Sequence, residues 1–154
     1  EIASCLVGSE MCIRDRQWVL VAFIDLDGFK PINDTYGHDA GDRFLIEVGR
    51  RMSAGLRASD MLGRWGGDEF VVIGLVAPSR SDDPQRVVDE MRSRLAQPLI
   101  GTYTLAECSF DYRGASLGIV SVDPAVSSLH AALKEADQLM YADKQARRPE
   151  CAMP

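Results

Sequence analysis

The sequence has few of the residues that build structural metal sites or disulfide frameworks. Its 154 residues include two His and four Cys, and no two Cys form a Cys-x-x-Cys pair. This pattern argues against a zinc site and favours unpaired thiols in a reducing compartment. The chain needs neither kind of cross-link, because a domain of about 150 residues can bury a hydrophobic core of its own.

Long apolar runs and an excess of basic charge are also absent. No apolar run reaches the roughly 18 residues that suggest a membrane-spanning helix, and the N-terminus lacks the pattern of a secretory signal. The formal net charge of −6 argues against a surface that grips a long nucleic acid, but not against one nucleotide. With 46% apolar and 26% charged residues, the composition is that of a globular domain.

The first sixteen residues differ from the rest of the chain. They show neither helical nor strand periodicity, and they resemble a translated sequencing-adapter read-through. We therefore predict a non-native leader at 1–16, a single domain at 17–149 and a short tail at 150–154. No internal repeat divides the predicted domain.

Hydrophobic periodicity predicts strands that alternate with helices. Trp18–Ile24 is apolar throughout, which is typical of a strand buried on both faces, whereas 38–57 has the three- and four-residue spacing of a helix. Met61–Trp65 and Phe70–Val76 flank Gly66-Gly67 and predict a β-hairpin. Further helices are expected over 85–96 and 125–147, and further strands near 99–105, 108–112 and 115–122. The pattern predicts an α/β (α+β) sandwich, with a mixed central β-sheet and flanking helices.

Four acidic residues stand at the ends of predicted strands. Asp25 and Asp27 end the first strand on one face, and Asp68 and Glu69 follow the glycine pair. If the hairpin pairs with the first strand, Asp68 or Glu69 would meet Asp25 across the sheet. Such a cluster suits Mg²⁺, and two ions there can assist an in-line displacement. The alternative is that the hairpin acids simply face water.

Two short segments have the composition of a phosphate site. Gly66-Gly67 permits positive φ and a close approach of a ligand to the backbone. Lys30, after Gly28 and Phe29, can place a cation and free N–H groups against phosphates. Either segment alone is weak evidence, because glycine pairs are common in hairpins and most lysines are simply solvated.

Together these residues form two motif blocks, FIDLDGFKPINDTYGHDAGD at 23–42 and GRWGGDEF at 63–70. The chain from Val19 to about Arg148 resembles the GGDEF domain family of diguanylate cyclases. The resemblance implies a fold similar to the palm of nucleotide polymerases and to class III nucleotidyl cyclases. Family members usually open with a helix that carries a DxLTxLxNR motif, so we expect that N-terminal helix to be missing ahead of Trp18.

The resemblance also implies a role for each motif residue. The metal ligands would be Asp25, the Leu26 carbonyl, Asp68 and Glu69, with Mg²⁺ or Mn²⁺ as the cofactor and two ions per active site. Asp68, Glu69 and Lys30 would be catalytic. The residues that bind GTP would be Asn33 and Asp42 at the guanine, and Gly28, Phe29, Lys30, Gly66, Gly67, Lys144 and Arg148 around the phosphates. The chain departs from the family at 147–149, where Arg-Arg-Pro replaces the usual Gly-Arg-Asn.

An inhibitory site is implied by Arg57 and Asp60, which form an RxxD pattern just before the signature strand. In the family this position binds the product cyclic di-GMP, and Arg86 is one candidate for the second arginine of that site. The alternative is an arginine favoured by the helix macrodipole, followed by a turn aspartate.

The implied function is a diguanylate cyclase that condenses two GTP into cyclic di-GMP, a bacterial second messenger, and releases two pyrophosphates. Catalysis would require a homodimer, and nucleic acid would not be a partner. The domain would be cytoplasmic. Absent upstream domains could anchor the parent protein to a membrane and receive its input signal. The alternative function is a catalytically silent module that binds cyclic di-GMP or GTP and regulates a neighbouring domain.

Overall fold

A computed structural model of the chain describes residues 17–76, 83–106 and 108–147. The predicted leader at 1–16, the tail at 150–154 and Arg148 lie outside these residues. The domain boundaries therefore stay predictions.

The described residues form six strands and four α-helices. The strands are β1 (Trp18–Leu26), β2 (Met61–Gly66), β3 (Glu69–Val76), β4 (Gly101–Leu105), β5 (Cys108–Tyr112) and β6 (Ala115–Val122). The α-helices are α1 (Phe29–Tyr36), α2 (His38–Gly55), α3 (Pro84–Ala96) and α4 (Leu129–Arg147), and a 3₁₀ turn spans Gln97–Leu99. The α+β fold class predicted from periodicity is thus confirmed.

The main sheet has the order β2-β3-β1-β6, and each of its three ladders is antiparallel. The expectation of a mixed sheet is therefore wrong for the described strands. Strands β1 and β2 do run in the same direction, as a crossover through α1 and α2 predicts, but β3 lies between them. Strands β4 and β5 form a separate antiparallel pair.

The central strand β1 separates two hydrophobic cores, which explains why it is apolar throughout. Leu20 and Ile24 face a core built with α2, α3 and the β4–β5 pair. Val21 and Phe23 face a second core built with α4. Because side chains alternate along a strand, a strand that is covered on both faces has no position for a polar residue until it emerges from the core.

Helix α4 begins at Leu129 rather than at Ala125 as the sequence pattern predicts. The Asp123 side chain accepts a hydrogen bond from the Ala125 N–H at 2.8 Å, which holds these residues in a turn. The Ser128 hydroxyl then accepts from the Ala131 N–H at 3.2 Å and caps the helix. Local side-chain hydrogen bonds thus compete with the first helical turn.

Helix α4 lies unusually close to β6 at Gly118. A Cβ placed on Gly118 would overlap the Ala136 carbonyl oxygen and the Met140 backbone nitrogen, and it would lie 2.9 Å from the Ala136 carbonyl carbon. These are backbone atoms of α4, so no side-chain rotation could relieve the overlap. The absence of a side chain at Gly118 therefore sets the distance between α4 and the sheet.

We expect Gly118→Ala to lower the free energy of unfolding by about 2–3 kcal/mol, because the backbone of α4 must move to admit the methyl group. The control is Gly49→Ala in α2, where a Cβ meets nothing within 4 Å. That change should be neutral or raise the free energy of unfolding by up to about 1 kcal/mol. Urea denaturation measures both, and equal midpoints for the two variants would contradict the close packing of α4.

Candidate functional site

The acidic residues meet at the C-terminal end of β1. In the β1–β3 ladder Asp25 stands directly opposite Glu69, and the Leu26 N–H donates to the Asp68 carbonyl at 3.1 Å. Asp25 is only 6% exposed. The expectation that a hairpin acid meets Asp25 across the sheet is therefore confirmed, and the residue that does so is Glu69.

The hairpin turn lies one residue later than the glycine pair suggests. Gly66 still pairs with Glu69, so the turn residues are Gly67 and Asp68, and Gly67 has a φ of +53° that favours glycine. A register shift separates Arg64 from Gly66, and the Arg64 Nε donates to the Gly67 carbonyl at 2.9 Å. Asp68 is consequently at the tip of the hairpin, next to the end of β1.

Lys144 reaches this site from α4, 119 residues away in sequence. Its Nζ donates to both carboxylate oxygens of Asp25, at 2.7 and 2.8 Å. Burial lowers the pKa of Lys144, but the hydrogen bonds to Asp25 and the charges of Asp25, Asp68 and Asp27 outweigh it and raise the pKa overall. The ammonium group therefore stays charged and neutralises a nearly buried carboxylate.

The remaining acids show the cost of placing like charges together. Burial raises the pKa of Glu69, and the negative charges of Asp25, Asp68 and Asp137 add to this effect. Burial also raises the pKa of Asp27, although a hydrogen bond from Ser116 opposes the shift. A cation bound at the site would relieve this repulsion.

Asp27 has different partners from Asp25, although the sequence places the two residues close together. Its carboxylate accepts from the Ser116 hydroxyl at 2.7 Å and lies 3.9 Å from an Arg147 nitrogen. Arg147 also donates to Asp143 at 3.0 Å. Asp27 thus links the ends of β1, β6 and α4, a contact that the sequence pattern did not reveal.

The predicted metal ligands are the carboxylates of Asp25, Asp68 and Glu69 and the backbone carbonyl of Leu26. Such oxygen ligands suit a hard divalent cation such as Mg²⁺. Within residues 17–76, 83–106 and 108–147, however, no three His, Cys, Asp or Glu residues are grouped closely enough to hold an ion. Lys144 takes the position of a counter-cation at Asp25. The residue types fit the metal, and their side chains would have to rearrange to bind it together.

The predicted phosphate-binding residues form the start of α1. Gly28 is the N-cap of this helix with a φ of +75°, and Phe29 and Lys30 occupy its first turn. Phe29 stacks on Phe44 of α2 with ring centroids 6.2 Å apart, while Lys30 is exposed. The helix start therefore presents free backbone N–H groups and a cation near the end of β1, which favours an anionic ligand.

The two predicted guanine-binding residues lie on either side of the junction of α1 and α2. The Gly37 N–H donates to the Asn33 carbonyl at 2.9 Å, which closes α1 and turns the chain into α2. The Asn33 carboxamide then lies against Gly41, the residue before Asp42. Asn33 is half-buried and Asp42 is exposed.

The two residues of the RxxD pattern differ in their environment. The Asp60 side chain is 2% exposed, accepts from the Arg57 N–H at 2.8 Å and lies 3.4 Å from Arg94. The Arg57 side chain is exposed. Arg94, which sequence reasoning missed, is the arginine beside Asp60, whereas Arg86 pairs with Glu90.

Tyr112 is a second residue of interest that no sequence pattern singles out. Its hydroxyl is the one buried side-chain polar atom without a hydrogen-bond partner in the described part of the chain. Burial raises its pKa, and the negative charge of Asp27 raises it further. The phenol therefore stays protonated on the inner side of the acidic site.

Comparison with known proteins gives the family of this arrangement. A family model described as diguanylate cyclase, GGDEF domain, matches residues 8–150. The diguanylate cyclase DgcP of Escherichia coli K12 is 42% identical over 130 residues, which cover 84% of this chain and 36% of that protein. MucR of Pseudomonas aeruginosa, a bifunctional diguanylate cyclase and cyclic di-GMP phosphodiesterase, is 37% identical over 143 residues, which cover 92% and 20%.

A solved structure agrees with these sequence matches. A sensory box/GGDEF family protein from Caulobacter crescentus superposes with a TM-score of 0.80 at 29% identity, covering 91% of this chain and 86% of that one. By contrast, the chain spans only about a third or less of the curated relatives DgcP and MucR.

We expect Lys144→Met to lower the free energy of unfolding by about 1–3 kcal/mol at neutral pH, because it leaves the Asp25 charge buried without a partner. The matched control is Lys134→Met, which removes the same charge from an exposed position of α4. Asp25→Asn in the Lys144→Met background should recover part of the loss. Urea midpoints provide the comparison, and equal midpoints for the two lysine variants would show that the ion pair contributes no stability.

Proposed function

The chain belongs to the family of diguanylate cyclase GGDEF domains, and on that premise we propose that it condenses two GTP into cyclic di-GMP and two pyrophosphates. The resemblance read from its two motif blocks is confirmed by the family match. The observation that carries the proposal is the β1–β3 register, which sets Asp25 opposite Glu69 beside the Asp68 turn. A degenerate receptor has no need for this complete acidic set.

The metal ligands in this proposal are Asp25, Asp68, Glu69 and the Leu26 carbonyl, and they would hold two Mg²⁺ or Mn²⁺ ions. Bound ions would supply neutralisation of phosphate charge and a lower pKa for the attacking hydroxyl. Asp68, at the tip of the hairpin, would accept the proton of the 3′-hydroxyl, and Glu69 would complete the acidic set. Burial and the charges of neighbouring carboxylates raise the pKa of Glu69, and a bound cation would relieve that repulsion.

The phosphates of GTP would lie between two positively charged elements. The N–H groups of Gly28, Phe29 and Lys30 open α1, and the Lys30 ammonium extends from the same turn. Lys144 lies across the site on α4 and can exchange Asp25 for a phosphate. A Cβ placed on Gly66 or Gly67 would meet nothing within 4 Å, so a ligand could approach the backbone there. Arg148 would add a further cation.

The guanine base would be recognised at the junction of α1 and α2. A carboxylate at Asp42 can accept from the guanine N1–H and 2-amino groups, and the Asn33 carboxamide can pair with the same edge. Adenine does not offer this donor pattern. With ATP bound, the polar groups of Asn33 and Asp42 would stay unpaired, which costs binding free energy. This pair should therefore select GTP over ATP.

The reaction requires two domains, because each binds one GTP while the product contains two. In a two-fold dimer each 3′-hydroxyl oxygen would form a bond to the α-phosphorus of the other GTP, and the bond to pyrophosphate would break. The protein would contribute mainly the positioning of the two nucleotides and the neutralisation of charge. This requirement makes activity depend on protein concentration.

The domain would act in the cytoplasm, where GTP is available. None of its described helices has both the length and the apolar character needed to cross a membrane. Membrane attachment, if the parent protein has it, would come from other segments.

The first test is incubation of the protein with GTP and Mg²⁺, followed by chromatographic separation of the nucleotides. We expect cyclic di-GMP from the parent chain and a loss of at least about 100-fold in Asp68→Ala, since that change removes a proposed metal ligand. Asp89→Ala, an exposed charge on α3, should retain the parent rate. Equal rates for the two variants would refute the role of Asp68, and absence of product from a folded dimeric parent would favour the receptor function.

We also propose that cyclic di-GMP inhibits the enzyme through the RxxD site. Because Asp60 is already bonded within the fold and Arg57 is exposed, Arg57 and Arg94 would supply the cationic contacts. We expect Arg57→Ala to raise the product concentration for half inhibition by about 10-fold without changing the initial rate, as loss of one charged hydrogen bond predicts. The control is Arg50→Ala, which removes an exposed arginine from α2, and inhibition that is equal in both variants would remove Arg57 from the site.

A further inference from the structure

Gly41 occupies a helical position where its lack of a side chain is not explained by backbone conformation. It is the fourth residue of α2, and its φ is not among the positive values that favour glycine. A Cβ placed on Gly41 would overlap Oδ1 of Asn33 and lie 2.9 Å from its Cγ and 3.5 Å from its Nδ2. At Gly49, two turns further along the same helix, a Cβ would meet nothing within 4 Å.

The space that Gly41 leaves is therefore filled by the carboxamide of Asn33. No hydrogen bond to another described residue holds this carboxamide, so its contact with the helix positions it. An alanine at position 41 would collide with the far end of a side chain rather than with backbone. The Asn33 side chain can rotate away at little cost to the fold, whereas at Gly118 the colliding atoms belong to a helix backbone.

We propose that Gly41 determines nucleotide specificity by positioning the Asn33 carboxamide on the surface of α2 beside Asp42. The proposal rests on the proposed role of Asn33 in guanine binding and adds the reason why Asn33 adopts the required orientation. Gly41 itself would touch no nucleotide and would act only through Asn33. A methyl group here would move the carboxamide away from the edge that Asp42 reads.

The test measures binding of a non-hydrolysable GTP analogue and of the corresponding ATP analogue to the full chain with Mg²⁺ by calorimetry. Gly41→Ala and Asn33→Ala should each weaken GTP binding by about 10-fold, the loss expected for one hydrogen bond, and should leave ATP binding unchanged. The double variant should bind GTP no more weakly than Asn33→Ala alone, because Gly41 acts through Asn33. Gly49→Ala, the matched substitution in open space, should bind as the parent does.

Each outcome separates this inference from the function on which it rests. If Asn33→Ala weakens GTP binding but Gly41→Ala behaves like Gly49→Ala, the guanine site stands and the positioning role is refuted. Additive losses in the double variant would also refute it, since they would show that Gly41 acts independently of Asn33. If Asn33→Ala binds GTP normally, the proposed guanine contact and this inference both fail. Matching urea midpoints for Gly41→Ala and the parent would exclude unfolding as the cause.

Discussion

The structure depends on a carboxylate held almost out of water at the end of the central strand. Asp25 is 6% exposed, and its charge is balanced by Lys144 from the last helix. A buried charge without a partner is costly, so the strand can emerge from the core at this point only if α4 packs where Lys144 reaches it. The same ion pair joins the first and last elements of the domain and places a cation among the acidic side chains.

Close approach at two glycines gives the site its shape. Gly118 allows the backbone of α4 to lie against β6, and Lys144 lies one helical turn beyond Met140, which contacts that glycine. Gly41 allows the Asn33 carboxamide to lie against α2. The first contact involves backbone and therefore contributes to stability, whereas the second involves a side chain that can rotate, and it is the one proposed to act in recognition.

Asp60 shows how one residue can serve the fold and a proposed ligand site together. Its carboxylate caps the Arg57 N–H and pairs with Arg94, so β2 and α3 are held together at the place where the inhibitory site is proposed. A ligand there would meet Arg94, whose guanidinium Asp60 already holds. Preorganisation of this kind lowers the entropic cost of binding.

Local patterns in the sequence determined the fold class, most element bounds and the meeting of a hairpin acid with Asp25, whereas the structure decided that this acid is Glu69. Periodicity and turn residues act over a few positions, and once a hairpin pairs with β1 its register follows from the alternation of buried residues. Only the tertiary structure decided that β3 lies between β1 and β2, that Lys144 reaches Asp25 and that Arg94 lies beside Asp60. These contacts join residues far apart in sequence, and their formation depends on how helices pack on the sheet, which no local pattern encodes.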